Sequence, residues 1–290
     1  MNITNTNDIN NNKNRLLYSN LNNQVSDKYS NIPKIRVAVR KRPLNKKEIQ
    51  KNDIDIIESK DNNTCIVKEL KNKVDLTKYI EEHHFIFDCV FDEKSTNENI
   101  YLELVRPMVE AAFETKAKIT CLAYGQTGSG KTYTMMGPGN LSGNSNQIVS
   151  PGLYLLSAYD IIQMLDKKEY EHLDIWVSFY EIYCNKLYDL LNERNTLYAR
   201  EDGKQNICIV GLQEKSIKNL KEFLNLIEYG LKTRTTGVTG ANADSSRSHA
   251  ILQINIKDRY NNLPNGKISF IDLAGSERAV DTIDTNKQTK

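Results

Sequence analysis

The eight residues GQTGSGKT, 125–132, restrict what this chain can fold into more than any other stretch. They follow an apolar run at 119–124 and precede a second apolar cluster, so the pattern predicts a strand, a glycine turn and a short helix in succession. G-x-x-x-x-G-K-[ST] is the spacing of a loop whose backbone curls around phosphate. Gly125, Gly128 and Gly130 let the backbone turn so that the N–H groups of Gln126, Thr127 and Ser129 and their neighbours face one polyphosphate. Lys131 would neutralise the β- and γ-phosphates, and the Thr132 hydroxyl would ligate Mg²⁺. A chance glycine turn has no reason to carry both flanking elements.

The rest of the chain alternates strands with helices. PKIRVAVRKRP sets Ile35, Val37 and Val39 against Arg36, Ala38 and Arg40, a strand that Pro43 stops. Residues 64–68 and 83–91 read as further strands, with a charged segment projecting between them. A helix is expected over 97–115, with Ile100, Leu104, Met108, Ala111 and Ala112 on one face and Pro107 as an irregularity. Helices at 151–165 and 218–231 and strands at 174–183, 250–256 and 267–272 complete the series, with a loop at 137–147. Trp176, Phe179, Tyr180 and Tyr183 read as core. The alternation predicts an α/β sheet with helices on both faces, in one domain. Residues 1–31 hold eleven asparagines and little periodicity, so a disordered leader is expected there, with the domain at 32–290.

Composition excludes several classes. Lys plus Arg is 39 against 37 for Asp plus Glu, and a net charge of +2 argues neither for nor against a polyanionic partner. The basic residues at 34, 36, 40, 41 and 42 match no nucleic-acid motif. Five scattered cysteines without C-x-x-C spacing suggest neither disulfides nor zinc, and His83-His84 lacks a third ligand. No run approaches a signal peptide or a membrane span, so a cytosolic or nuclear protein is expected.

Two more constellations bear on phosphate chemistry. KISFIDLAGSE delivers Asp272 at the C-terminal end of an apolar strand, where ligands of α/β sheets bind. An acid there can hold the water shell of Mg²⁺, and the Gly275 N–H can approach the γ-phosphate. NADSSRSH, 242–249, packs hydroxyls, an amide and an arginine into eight residues before a strand. Alone it reads as a solvated loop. Beside a phosphate loop it reads as a switch, with Ser246 on metal or γ-phosphate and Asn242 and Ser245 orienting water. Arg247 needs a carboxylate, and Glu277 is the natural candidate.

GQTGSGKT, NADSSRSH and DLAGSER, in that order, closely resemble the kinesin motor domain, over roughly residues 33–278. The resemblance implies a P-loop NTPase fold with a central mixed sheet, ATP hydrolysis assisted by Mg²⁺, and binding to microtubules. It sets Arg40, Arg42 and Pro43 against adenine, with Tyr133 as another adenine neighbour. It also implies an Arg247–Glu277 ion pair when the switches close over the γ-phosphate, and ties Glu277 to a proton relay through water.

Lys73-Val74-Asp75 in the projecting segment matches the K-V-D signature of the kinesin-13 class, whose members have no short connection here as walking kinesins do. Ala243-Asp244, where many walking motors have Glu-His, agrees. The resemblance thus implies a finger that contacts tubulin through Lys73, Val74 and Asp75 and depolymerises microtubules by favouring a curved protofilament. The cytoplasm and its microtubules, with the spindle as one site, are the implied location. A translocating kinesin and a nucleotide- or tubulin-binding fragment without motor activity remain alternatives. The chain ends twelve residues after Arg278, and Ala279 replaces the family's usual glycine. The long helix after the second switch, adjoining microtubule-binding parts and the last strand are therefore expected to be missing, leaving an aggregation-prone edge. No heptads dictate a dimer.

Overall fold

The structure is a computed structural model that describes residues 33–138, 150–236 and 247–277. The asparagine-rich leader, most of the loop expected at 137–147, and Asn242, Ser245 and Ser246 lie outside the described residues.

The described chain opens with β1 (Ala38–Arg40), a short helix α1 (Lys46–Gln50), β2 (Ile57–Ser59), β3 (Thr64–Asn72), β4 (Lys78–Ile86) and β5 (Cys89–Phe91). Two helical segments, α2 (Asn97–Ile100) and α3 (Arg106–Glu114), flank a π-turn at Tyr101–Val105. Next come β6 (Lys118–Ala123), α4 (Lys131–Met136), α5 (Leu153–Leu165) and β7 (Leu173–Tyr183). The strands β8 (Lys186–Asp189), β9 (Asn195–Glu201), β10 (Ile207–Val210) and β11 (Lys215–Ile217) follow. Helix α6 (Leu220–Thr236) precedes β12 (Ser248–Asp258) and β13 (Pro264–Asp272).

The main sheet is mixed, in the order β10-β9-β8-β7-β12-β13-β6, with β11 on the outer part of β7. All pairs are antiparallel except β13 with β6. The period-2 pattern decides which side is packed. Leu173, Ile175, Val177 and Phe179 of β7, Leu252, Ile254 and Ile256 of β12, and Ile268 and Phe270 of β13 are all buried on one face. They meet Val109 and Phe113 of α3, Met135 of α4, Tyr154 and Ile161 of α5, and Phe223 and Ile227 of α6. Each large side chain so buried contributes about 1.5–3 kcal/mol. Tyr154 lies 6.5 Å from Phe179 and 5.5 Å from Phe270, ring to ring, and ties α5 to two central strands. The described helices of this core therefore cover one face. The opposite face carries a trough of about 600 Å³ lined by Tyr180, Ile182, His249, Ile251, Ile271 and Leu273, among others. No described helix is long and apolar enough to cross a membrane.

Three expectations need correction. The strand expected from residue 35 starts at 38, because the Val37 N–H is taken by the Asp88 carboxylate at 2.6 Å, and Ile35 is 80% exposed. The helix around Pro107 is real but passes through the π-turn. Pro107 has no N–H for the Glu103 carbonyl, which instead accepts from Arg36 Nη1 at 2.8 Å. Finally, residues 64–68 and 83–86 are the bases of one hairpin, in which the charged segment between them is itself strand.

That hairpin, β3–β4, has two nine-residue strands and belongs to a separate three-stranded sheet with β2. Glu69 sits directly opposite Glu81, which would repel. Lys71 reaches both carboxylates, and His83 Nε2 lies 2.9 Å from Glu69. On the reverse face Leu70 opposes Ile80, both more than half exposed.

Candidate nucleotide site and hairpin tip

Parallel pairing sets Asp272 beside Ala123, so the last residue of β13 and the loop leaving β6 meet at one end of the sheet. Gly130 caps α4 at φ 95°, a left-handed conformation that a side chain would strain. Two residues on, Thr132 Oγ1 donates to Asp272 Oδ2 at 2.8 Å. Asp272 is 1% exposed, and its Oδ1 has no hydrogen-bond partner among the described residues. A buried carboxylate oxygen with nothing to accept from is costly. A hydroxyl and a spare carboxylate oxygen are hard donors, and they fit Mg²⁺ with its waters. The Lys131 ammonium lies back over the loop, donating to the Gly125 and Gln126 carbonyls at 2.8 and 2.9 Å.

The segment after Asp272 lies along this loop. The Ser276 N–H donates to the Gly125 carbonyl at 3.1 Å. The Glu277 carboxylate accepts from the Thr127 N–H at 2.9 Å and from the Thr127 hydroxyl. These hydrogen bonds, the hydroxyl's first, hold the Glu277 carboxyl below its ordinary range. A side chain at Gly275 would meet the Glu277 carboxylate and the Thr127 hydroxyl, which would have to move aside. Glu277 is thus engaged by Thr127, and the ion pair with Arg247 is not formed in this structure. Behind the segment, the Ala274 N–H donates to His249 Nδ1 at 3.1 Å. Burial first, then the Arg234 charge, lowers the pKa of this imidazole.

Around Tyr133 the arginines are committed to protein partners. Arg40 donates to Asn97 Oδ1 at 2.6 Å, Thr134 Oγ1 at 2.7 Å and the Ser95 carbonyl at 3.1 Å, and lies 5.4 Å from the centre of the Tyr133 ring. Arg42 makes a two-pronged pair with Glu48 at 2.8 and 2.5 Å and also donates to the Pro43 carbonyl. Glu48, held by Arg42 first and then by the Asn45 N–H, has its pKa lowered to about 2. Tyr133 is 43% exposed, and its hydroxyl meets Ser150 Oγ at 3.1 Å. Asn97, Thr134, Ser95 and Glu48 were not singled out from the sequence. The spacing of Glu48, three residues after Asn45 at a helix start, is the capping-box signal that marks it.

A second group went unnoticed beneath the site. Arg234, Glu181 and Ser248 are each at most 6% exposed and gather beside Asp272. Arg234 lies in the last turn of α6, beyond the helix expected at 218–231, and was not singled out from the sequence.

At the far end of the hairpin the tip spans residues 73–77. The Lys73 N–H donates to the Thr77 carbonyl, and the Leu76 N–H to the Lys73 carbonyl, both at 2.9 Å. Asp75 accepts from the Thr77 hydroxyl at 2.6 Å and the Thr77 N–H at 3.0 Å, which lowers its pKa and fixes the turn. Val74 is completely exposed. Within the K-V-D triplet, then, Asp75 shapes the tip and Val74 stands clear of it.

Comparison with known proteins agrees with this geometry. The family model described as "Kinesin motor domain" matches residues 40–290. "Kinesin-like protein KIF24" of Homo sapiens is 50% identical over 263 residues, which are 90% of this chain and 18% of that protein. "Kinesin-like protein KIN-13B" of Arabidopsis thaliana is 48% identical over 287 residues, 96% of this chain and 39% of its own. "Kinesin-like protein KIN-13A" of Oryza sativa subsp. japonica is 45% identical over 280 residues, covering 90% and 32%. The chain therefore spans well under half the length of these relatives. A solved structure described as "Structure of a fast kinesin: Implications for ATPase mechanism and interactions with microtubules" superposes with a TM-score of 0.72 at 28% identity. It covers 87% of this chain and 69% of its own. A mixed sheet with the glycine loop at its parallel edge, matched along most of its length by such relatives, identifies the chain as a member of the kinesin motor-domain family, and the KIF24 and KIN-13 relatives support the kinesin-13 class.

Proposed function

We propose that this chain is the ATP-hydrolysing part of a kinesin-13-type motor that depolymerises microtubules from their ends by stabilising curved tubulin. The observation that carries the reading is the pairing of two features on one chain: the Thr132–Asp272 contact at the glycine loop, and a stiff hairpin presenting Val74 at its tip.

The nucleotide chemistry follows from the side chains. Lys131 would leave the Gly125 and Gln126 carbonyls for the β- and γ-phosphates, while the N–H groups of residues 126–131 cradle the same oxygens. Thr132 would hold Mg²⁺ directly, with Asp272 acting through water and Ser246 as a further contact. When bound, Mg²⁺ would neutralise charge on the β- and γ-oxygens. Asn242 and Ser245 would orient the attacking water, and the Gly275 N–H would meet the γ-phosphate. Glu277, once off Thr127, would pair with Arg247 and close the site. The Arg42–Glu48 pair fixes one side of the pocket in which Tyr133 and Pro43 would meet adenine.

Tubulin at a filament end exchanges between straight and curved forms, and a ligand that prefers the curved form shifts the balance. Val74 would act as the apolar anchor and Lys73 as its charged neighbour. ATP hydrolysis would then release tubulin and recycle the motor. Microtubule ends in the cytoplasm would be the place of action.

The test is release of tubulin from stabilised microtubules with ATP, for the wild-type chain and for a Lys73→Ala, Val74→Ala, Asp75→Ala triple variant. Release by wild type alone, with basal ATP turnover equal in both, is the expected outcome. Equal release by both would discard the finger. ATP binding with no release from either would leave a nucleotide-binding fragment.

A further inference from the structure

Beneath the metal-ligand pair lies a layer of four buried or nearly buried charges. Glu181 on β7 is 2% exposed and pairs with Arg194 Nε at 2.6 Å through Oε1. Asp272 is 1% exposed, and Arg234 on α6 stands between the two carboxylates. Among the described residues, Arg234 supplies the positive charge within ion-pair range of Asp272. Burying a carboxylate without such a partner is strongly unfavourable.

Charge alone does not account for the way the guanidinium sits. Its distances to Asp272 Oδ2 and Glu181 Oε2 are 3.6 and 3.8 Å, ion-pair range but beyond a good hydrogen bond. It also donates hydrogen bonds to Ser248. Nε donates to Ser248 Oγ at 3.2 Å, and Nη2 donates to Oγ at 3.0 Å and to the Ser248 carbonyl at 3.1 Å. Ser248 is the first residue of β12 and follows Arg247 directly. One planar fork therefore grips the start of β12 while its remaining edge faces Asp272. Asp272 accepts from Thr132 at Oδ2, and its Oδ1 has no hydrogen-bond partner among the described residues.

We propose that Arg234 is a positioning residue of the Mg²⁺–nucleotide site, fixing the start of β12 against Asp272 so that Thr132 and Asp272 meet in one geometry. The inference rests on the ATP-site reading above. A lysine would supply the same charge, but it has no planar fork to span Ser248 and Asp272 together. Partners one layer behind metal ligands typically change metal affinity by about 10- to 100-fold when lost.

The experiment measures binding of a fluorescent ADP analogue with Mg²⁺ and with EDTA, and takes the ratio of the two affinities. Arg234→Lys is expected to lower that ratio about ten-fold while Mg²⁺-free affinity stays within about two-fold of wild type. An unchanged ratio would mean that charge alone suffices and would overturn the proposal. So would an equal fall of both affinities, the mark of a merely structural residue. Should Arg234→Lys fail to fold, Ser248→Ala decides, since it removes the hydroxyl acceptor and leaves every charge in place. A lowered ratio supports the fork and an unchanged one refutes it. A wild-type chain that binds no nucleotide overturns the ATP-site reading itself, whereas normal wild-type binding with unaltered variants overturns this inference alone.

Discussion

The Glu277 carboxylate occupies the N–H of Thr127, a donor that a bound polyphosphate would also use. The loop therefore holds an internal anion where an external one is expected, and the two must compete. Glu277→Ala should speed nucleotide association by about 3- to 10-fold, the scale of a solvent-screened charged contact. It should also depress turnover, because the carboxylate proposed to pair with Arg247 is lost. Stopped-flow mixing with a fluorescent ATP analogue reads the first effect and steady-state phosphate release the second. Because the Glu277 pKa is lowered in the fold, the latch is fully present above the ordinary carboxylate value and is lost as pH falls through the depressed one. Association measured on the acid side should thus rise towards the variant's rate, and a pH-independent difference between the two proteins would refute the latch.

At the scale of elements, docking of α6 onto β7 depends on one absent side chain. A methyl at Gly230 would collide with the Phe179 ring, which is fully buried. Gly230→Ala should cost about 1–3 kcal/mol through overpacking, despite the better helix propensity of alanine, and a lower urea midpoint checks it. The same contrast between buried and exposed elements explains which parts were legible beforehand. β7, β12 and β13 carry alternating apolar residues because one long face of each is packed, and they were read to within a few residues. β9 went unread because Leu197 is its one buried side chain, and a strand without alternation leaves no periodic trace. β3 and β4 were cut short for a related reason: their outer halves hold charge ladders such as Glu69, Lys71 and Glu81 in place of apolar residues. Glycine loop and Asp272 were legible through spacing. The Arg234 layer was not, since it is made by residues from α6, β7, β12 and β13 that no local pattern connects.

On the scale of the molecule, β6 is the last strand of the main sheet among the described residues, and Leu122 on it is 56% exposed. A strand edge next to apolar surface invites pairing with another chain. Leu122→Lys should reduce self-association at a given concentration without lowering thermal stability, which light scattering and melting curves would show together. The hairpin lies on a different sheet from the glycine loop, yet the two are joined through a short route. Arg40 is hydrogen-bonded to Thr134 on α4, and its strand β1 pairs with β5 from Ala38–Cys89 to Arg40–Phe91. β5 begins three residues after the end of β4, at the root of the hairpin. Binding free energies that share such a joint are reciprocal. If a partner gripping Val74 favours one setting of Arg40, and that setting alters nucleotide affinity by some factor, then nucleotide must alter the grip by the same factor. Fuel and cargo would read each other's presence through a single guanidinium, at equal rates of exchange.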